Sequence, residues 1–381
     1  MVEHASDSSS PKEDQPEGEI KIPKFNPIRY IYDSGNPLWT REQLEDLQAQ
    51  LNANPERFTV RRLDNTTVEV KNVAYGEDAS HWRTEVEFLG WRHLVHPMTL
   101  GNLDFQFLPY IIHQRDTRLE KFRYLLPSQD EDELHERFKI QKTVWAQCEA
   151  RYLIENLLSK YELPPTINKM VCLGLGNDLT STLELSSRHS AALTLREFLE
   201  KKLGHTVRLL AQDPEYTSDT KHVLEKEGFE IMGTNGIDGF LEVDENSLVL
   251  AICARIRAST RVKEILAELA RPAVIINRNF FQQGLFRDSI DLPTVKKHLV
   301  GSAGLRSLFA ALQDIDPDTP RIAAMFKEYY DAGCWVPDVQ SAIRETAPWW
   351  GTYTKVWVRK NGSKLLKAES PDESPGASLK E

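Results

Sequence analysis

The chain has 381 residues, 40% of them hydrophobic and 27% charged, with a mean hydropathy of -0.45, the balance of a globular protein with a sizeable core. A formal net charge of -10 and a pI near 5.6 argue against a nucleic-acid-binding surface over the whole chain, and no apolar run approaches the roughly 18 residues that a membrane helix needs. Its four cysteines, Cys148, Cys172, Cys253 and Cys334, form no C-x-x-C pair, which excludes a disulfide framework or zinc site and fits a reducing compartment, cytosol or nucleus.

Residues 1–24 hold Ser, Pro, Glu and Asp with little to bury, so a disordered acidic tail is expected there, and residues 361–381 read the same way. Residues 25–165 have an α+β pattern. Thr40-Arg-Glu-Gln43 is a capping-box sequence, followed by Leu44, Leu47 and Leu51 on one helical face. Phe58–Leu63 and Thr67–Val73 flank Asp64-Asn65 as a β-hairpin, and Trp82–Leu89 alternates as a further strand. One long helix is expected after Ser128-Gln-Asp-Glu131, with Leu134, Phe138, Trp145, Cys148, Tyr152 and Leu157 facing inward, ending at Pro164-Pro165.

From residue 166 to about 360 the pattern alternates strand and helix. Strands are expected at Lys169–Leu173, Thr206–Ala211, Phe229–Met232, Ser247–Cys253 and Ala273–Asn277. Helices are expected at about Thr182–Leu203, Ser218–Glu227 and Thr260–Ala270, the first two stopped by Gly204 and Gly228. Apolar strands separated by amphipathic helices predict an α/β fold: a Rossmann-like, doubly wound, mostly parallel sheet of about five strands, with the N-terminal α+β region packed on it. Thr319-Pro320 opens another helix, and Thr354–Arg359 reads as a final edge strand.

Chemistry is expected where the first strand breaks into Gly174-Leu-Gly176-Asn177. Two glycines one residue apart at the end of a parallel strand permit a tight turn and close approach of a ligand. A dinucleotide fingerprint also needs a third glycine, and Leu179 stands there. A methyltransferase reading fits better, because Gly174, Gly176 and Asp213 match a glycine turn and a ribose-binding acid at the end of strand two. Against it, Cys172 replaces an acid often found before the first glycine, and no Asn-Pro-Pro-Tyr-type motif follows strand four. The bland reading is a tight turn, with Asp213-Pro214 opening the next loop. Neither a G-x-S-x-G elbow nor a P-loop is present. His93 and His96 are three residues apart and a poor metal pair, while His113 suits a partly buried histidine with a hydrogen-bond partner. Trp335, Trp349, Trp350 and Trp357 suit either core packing or a stacking surface. Cofactor and protein partners stay unassigned; a nucleotide-like small molecule is the ligand class the turn suggests.

Together, Val171-Cys-Leu-Gly174-Leu-Gly176-Asn177, Asp213-Pro214-Glu-Tyr216, Leu224–Gly228, Asn235-Gly236 and Val274-Ile-Ile-Asn277-Arg-Asn279-Phe280 resemble the SRR-like ("sensitivity to red light reduced") domain family over about residues 165–285. The long N-terminal extension looks like the fungal branch. The resemblance implies a Rossmann-like fold and a regulatory role without established catalysis, linked to circadian and light signalling and to heme metabolism. Where family members often have His-Cys after strand four and Gly-Asn-Ser after strand five, this chain has Ile252-Cys253 and Asn277-Arg278-Asn279. Strand-end position then assigns Gly174, Gly176 and Asn177 to a phosphate or ribose, Asp213 to hydroxyls, and Asn277 and Asn279 to a polar wall. The competing class is an S-adenosylmethionine-dependent methyltransferase.

Overall fold

The computed structural model describes residues 27–76, 82–90, 94, 107–116, 131–177, 179, 183–233, 235–252, 256–279, 319–335 and 353–366. The expected N-terminal tail, and the C-terminal one beyond residue 366, lie outside the described residues. Helix α1 (Pro27–Asp33) is followed by α2 (Arg41–Ala53). The capping box of α2 is complete: the Thr40 hydroxyl accepts from the Gln43 N–H, and the Gln43 side chain accepts from the Thr40 N–H. The hairpin forms as β1 (Arg57–Arg61) and β2 (Thr67–Lys71), and β3 (Trp82–Phe88) pairs antiparallel with β4 (Tyr110–Asp116).

The long helix is instead two, α3 (Glu131–Ala146) and α4 (Glu149–Ser159). Cys148 takes extended backbone angles, φ -81 and ψ 137, and resets the helical phase. After the break Ala150, Ile154 and Leu158 are buried, while Tyr152 is 61% exposed. One i, i+4 stripe therefore replaces another.

The domain continues through β5 (Tyr161–Glu162), β6 (Lys169–Leu173), α5 (Leu183–Leu203), β7 (Arg208–Gln212), α6 (Ser218–Lys226), β8 (Glu230–Ile231) and α7 (Asp238–Leu241). It closes with β9 (Ser247–Ala251), α8 (Ile256–Leu269), β10 (Val274–Asn279), α9 (Pro320–Phe326), β11 (Tyr329–Trp335), β12 (Tyr353–Arg359) and β13 (Lys364–Leu365). Thr319 caps α9 with Pro320 in its first turn, as expected. The seven-stranded sheet has the order β11-β12-β10-β9-β6-β7-β8. Its five expected strands are parallel, and β12 runs antiparallel to both β10 and β11. Thr354–Arg359 thus lies inside the sheet rather than at its edge. Strand β11 covers it, its pattern obscured by an irregularity between Asp331 and Gly333. Beyond it, β13 pairs with β5, so the first residues of the expected C-terminal tail are in a ladder.

Strict alternation along the strands makes two cores. Met170, Cys172, Leu209, Leu250 and Ile276 face a layer of α3, α4, α5 and α6. Val171, Leu173, Leu210, Val249 and Ile275 face the N-terminal elements from α1 to β4 together with α7, α8 and α9. The C-terminal strand ends come out between these layers.

Candidate functional site

Strand β6 is buried from Met170 to Leu173, and the chain then turns with positive φ at Gly174 (69°) and Gly176 (91°), conformations that disfavour any Cβ. The turn is sewn to the loop that follows β7. The Gly174 N–H donates to the Gln212 carbonyl at 2.9 Å. The Gly176 N–H donates to Asp213 Oδ2 at 2.6 Å, and the Glu215 N–H to Asp213 Oδ1 at 2.8 Å. One residue on, Asn177 Oδ1 accepts from the Thr217 N–H at 2.9 Å. Thr217 caps α6 by accepting from the Thr220 N–H. Asp213, 7% exposed, is therefore a bracket between two loops, its charge held by two backbone donors.

Behind the turn, Arg188 is buried on α5 and directs Nη1 to the Leu175 carbonyl at 3.5 Å. Its neighbour His189 is fully buried, with Nε2 3.0 Å from the Tyr216 hydroxyl and Phe138 and Phe229 edge-on. Burial, aided by the Arg188 charge, pushes His189 down to about 3, so the ring is neutral throughout the physiological range. Burial likewise drives the Cys172 thiol and the Tyr216 hydroxyl well upward. These groups hold the turn rather than titrate in it.

Of the residues singled out in the sequence, Gly174, Gly176, Asn177 and Asp213 come together in this bracket. Asn277 lies two strands away in β10 and is fully buried; Asn279 pairs with Tyr353 at the end of β10, and its side chain lies outside the described residues. Sequence reasoning missed Gln212, Arg188 and His189. Gln212 directly precedes the quoted motif Asp213–Tyr216, and a polar residue ending an apolar run was a usable signal. His189 carried none, because its partner is 27 residues away. His113 pairs with Glu87 at 2.8 Å, the kind of partner expected for it. Trp357 stacks on Phe326 at 4.2 Å and is core. Cys253, His93, His96, Trp349 and Trp350 lie outside the described residues. Among the described residues no His, Cys, Asp and Glu group could hold a metal, and no helix is long and apolar enough to cross a membrane.

Residues 153–284 match the family model of the SRR1 domain, which bears out the SRR-like resemblance; the span runs from inside α4 to just past β10. No curated protein and no solved structure matches the chain significantly.

Proposed function

We propose that this chain, which carries an SRR-like domain over residues 153–284, is a regulatory protein that binds a nucleotide-like small molecule at the carboxyl ends of its parallel strands. The observation that carries the reading is Asp213, fixed beside the glycine turn by the N–H groups of Gly176 and Glu215. A carboxylate preorganised by backbone donors at the end of a parallel strand is the kind of group that accepts from ligand hydroxyls. The N–H groups of Gly174 and Gly176 are donated within the protein. Their part is to let a ligand approach bare backbone rather than to grip a phosphate. Asn177, partly exposed, adds a polar edge; Asn277 and Asn279, at the carboxyl end of β10, would stand on the far side of the site. A neutral, sealed His189 supports binding over acid–base chemistry. A place in the cytosol or nucleus, and a role in light or clock signalling or in heme metabolism, go with this reading.

The methyltransferase alternative rests on the same turn, where Gly174, Gly176 and Asp213 stand as a glycine turn and a ribose-binding acid would. Numbered in chain order within the sheet, the seven strands run 3-2-1-4-5-7-6 with the seventh reversed, so the turn lies where the strand order reverses, the place doubly wound sheets bind ligands. Fold alone does not assign the reaction. Calorimetric titration with ATP, adenosine and S-adenosylmethionine separates the two. Micromolar binding of an adenosine-bearing probe, weakened at least tenfold in a folded Asp213→Asn variant, supports the site. Preference for S-adenosylmethionine by a hundredfold would move the chain to the enzyme class, and silence toward all three removes the proposal.

A further inference from the structure

Between the end of α2, strand β3 and the loop from β8 into α7 lies a cleft of about 460 Å³, in the size range of small-molecule sites. It opens at the carboxyl end of β8, next to the strand that leads into Asp213. Strands β7 and β8 pair Leu210 with Glu230 and Ala211 with Ile231, and the Met232 N–H continues the ladder to the Ala211 carbonyl at 2.9 Å. The same register, carried two residues past Ala211 and Ile231, sets Gly233 of the lining beside Asp213, one strand spacing of about 4.8 Å away. Gln212, the residue before Asp213, accepts the Gly239 N–H of α7 through its side chain. The cleft and the carboxylate bracket therefore share a border.

The lining suits a flat, uncharged group. Trp82 and Thr84, both partly exposed, stand two residues apart on β3 and so share one face of it. Asn52 comes from α2 and Asn235 from the loop. The Val86 N–H donates to the Asn235 carbonyl at 2.9 Å, and Asn235 Oδ1 accepts from the Ile237 N–H at 3.1 Å. The Asn235 side chain is thus fixed through its oxygen, which leaves its Nδ2 donor unused among the described residues. Asp238 keeps its charge to the wall: Oδ1 accepts from the Gln48 amide, and the carboxylate packs directly over Gly233. None of the described lining residues is basic, so a phosphate meets no counter-charge here. An aromatic face beside neutral amides and a hydroxyl is what stacks on a heteroaromatic base and reads its edge. Sugar and phosphate then point across the border toward Asp213.

We propose that the strand-end ligand carries a nucleoside whose base lies in this cleft, stacked on Trp82 with its edge toward Asn235, while its ribose reaches Asp213. This rests on the strand-end reading and adds what reads the base. Asn52, Trp82 and Thr84 lie outside the family match at residues 153–284, so the region docked on the SRR-like domain sets base selection. The test is calorimetric titration of the full chain with adenosine, free adenine and methyl ribofuranoside. Adenosine should bind at least a hundredfold tighter than the furanoside, and adenine should bind alone and displace adenosine. Trp82→Leu should weaken adenosine and adenine alike, at least fivefold, as loss of a stacking partner does. Trp82→Phe should keep most of the affinity, which separates the aromatic face from a folding defect. Asp213→Asn should weaken adenosine at least tenfold and leave adenine within about twofold. Adenosine binding that needs Asp213 but is unchanged in Trp82→Leu overturns the inference and leaves the strand-end reading standing. Adenosine binding without any of free adenine does the same, and so does an equal loss of both ligands in Asp213→Asn. Silence toward adenosine, ATP and S-adenosylmethionine removes the reading and this inference with it. The ranking of probes on unaltered protein needs no variant to fold.

Discussion

The two faces of the central sheet treat buried polarity in opposite ways. On the face of Cys172, helices from one stretch of chain seal polar groups completely: His189 sits against Tyr216, and Trp145 donates to Thr194 at 2.9 Å. On the face of Val171, elements from the first 116 residues dock onto α7, α8 and α9, and several of their charges stay partly in water. Glu87, 41% exposed, bridges His113 and Arg261 across that seam. The first face behaves as interior and the second as an interface, which is where a cleft can persist.

The largest expected effect breaks or confirms the sealed face. His189 titrates near 3 in the fold against an ordinary 6.5, so below 6.5 the unfolded chain binds a proton that the folded chain refuses. Its contribution is intact above pH 6.5 and is lost as pH falls toward 3, at up to about 1.4 kcal/mol per pH unit. Urea unfolding of the wild type and His189→Leu at pH 6.5 and 4.5 should show the stability gap shrinking by about 2 kcal/mol. A gap constant within about 0.5 kcal/mol would mean that water reaches the ring.

The middle effect concerns the junction of the faces. Gly239 packs so closely that a Cβ there would lie 2.7 Å from Leu173 Cδ2 and 2.8 Å from Gln212 Oε1, while its N–H donates to that same Gln212 oxygen. Gln212 also receives Gly174 through its backbone carbonyl, so one residue, by side chain and main chain, joins α7 to the glycine turn. Gly239→Ala should cost about 1 kcal/mol by overpacking, read as a lowered urea midpoint with an unchanged slope. A neutral substitution would show that α7 shifts freely and that the second face is looser than its burial suggests.

Much of this was legible in the sequence wherever the signal is local. Five short apolar runs, with Gly204 and Gly228 taking the left-handed conformation at helix stops, suffice for the parallel sheet, because buried parallel strands and helix ends each need those residues. The glycine turn was legible for the same reason. What was not legible depends on partners far along the chain. Asp213 reads as a turn residue until Gly176 is seen against it, and Asp238 is unremarked in sequence because Gln48 reaches it only through docking. The break at Cys148 escaped notice because both helices carry apolar stripes, and only their phases differ.

The smallest effect sharpens the interface side. The His113 hydrogen bond, with help from Arg261 and against the opposing push of burial, holds Glu87 down to about 2 from its ordinary 4.5. A depressed carboxylate stabilises the fold above pH 4.5 and loses that contribution as pH falls through 2. Because the group is 41% exposed, solvent screening keeps its worth below about 1 kcal/mol. Glu87→Gln at pH 6 should therefore cost less than that, and the cost should fade as salt rises from about 0.1 M to about 1 M. The His189→Leu difference across pH should not respond to the same salt, since no mobile ion reaches a sealed ring. A salt-insensitive Glu87 penalty of several kcal/mol would place it in a true interior, and the two faces would then no longer differ in kind.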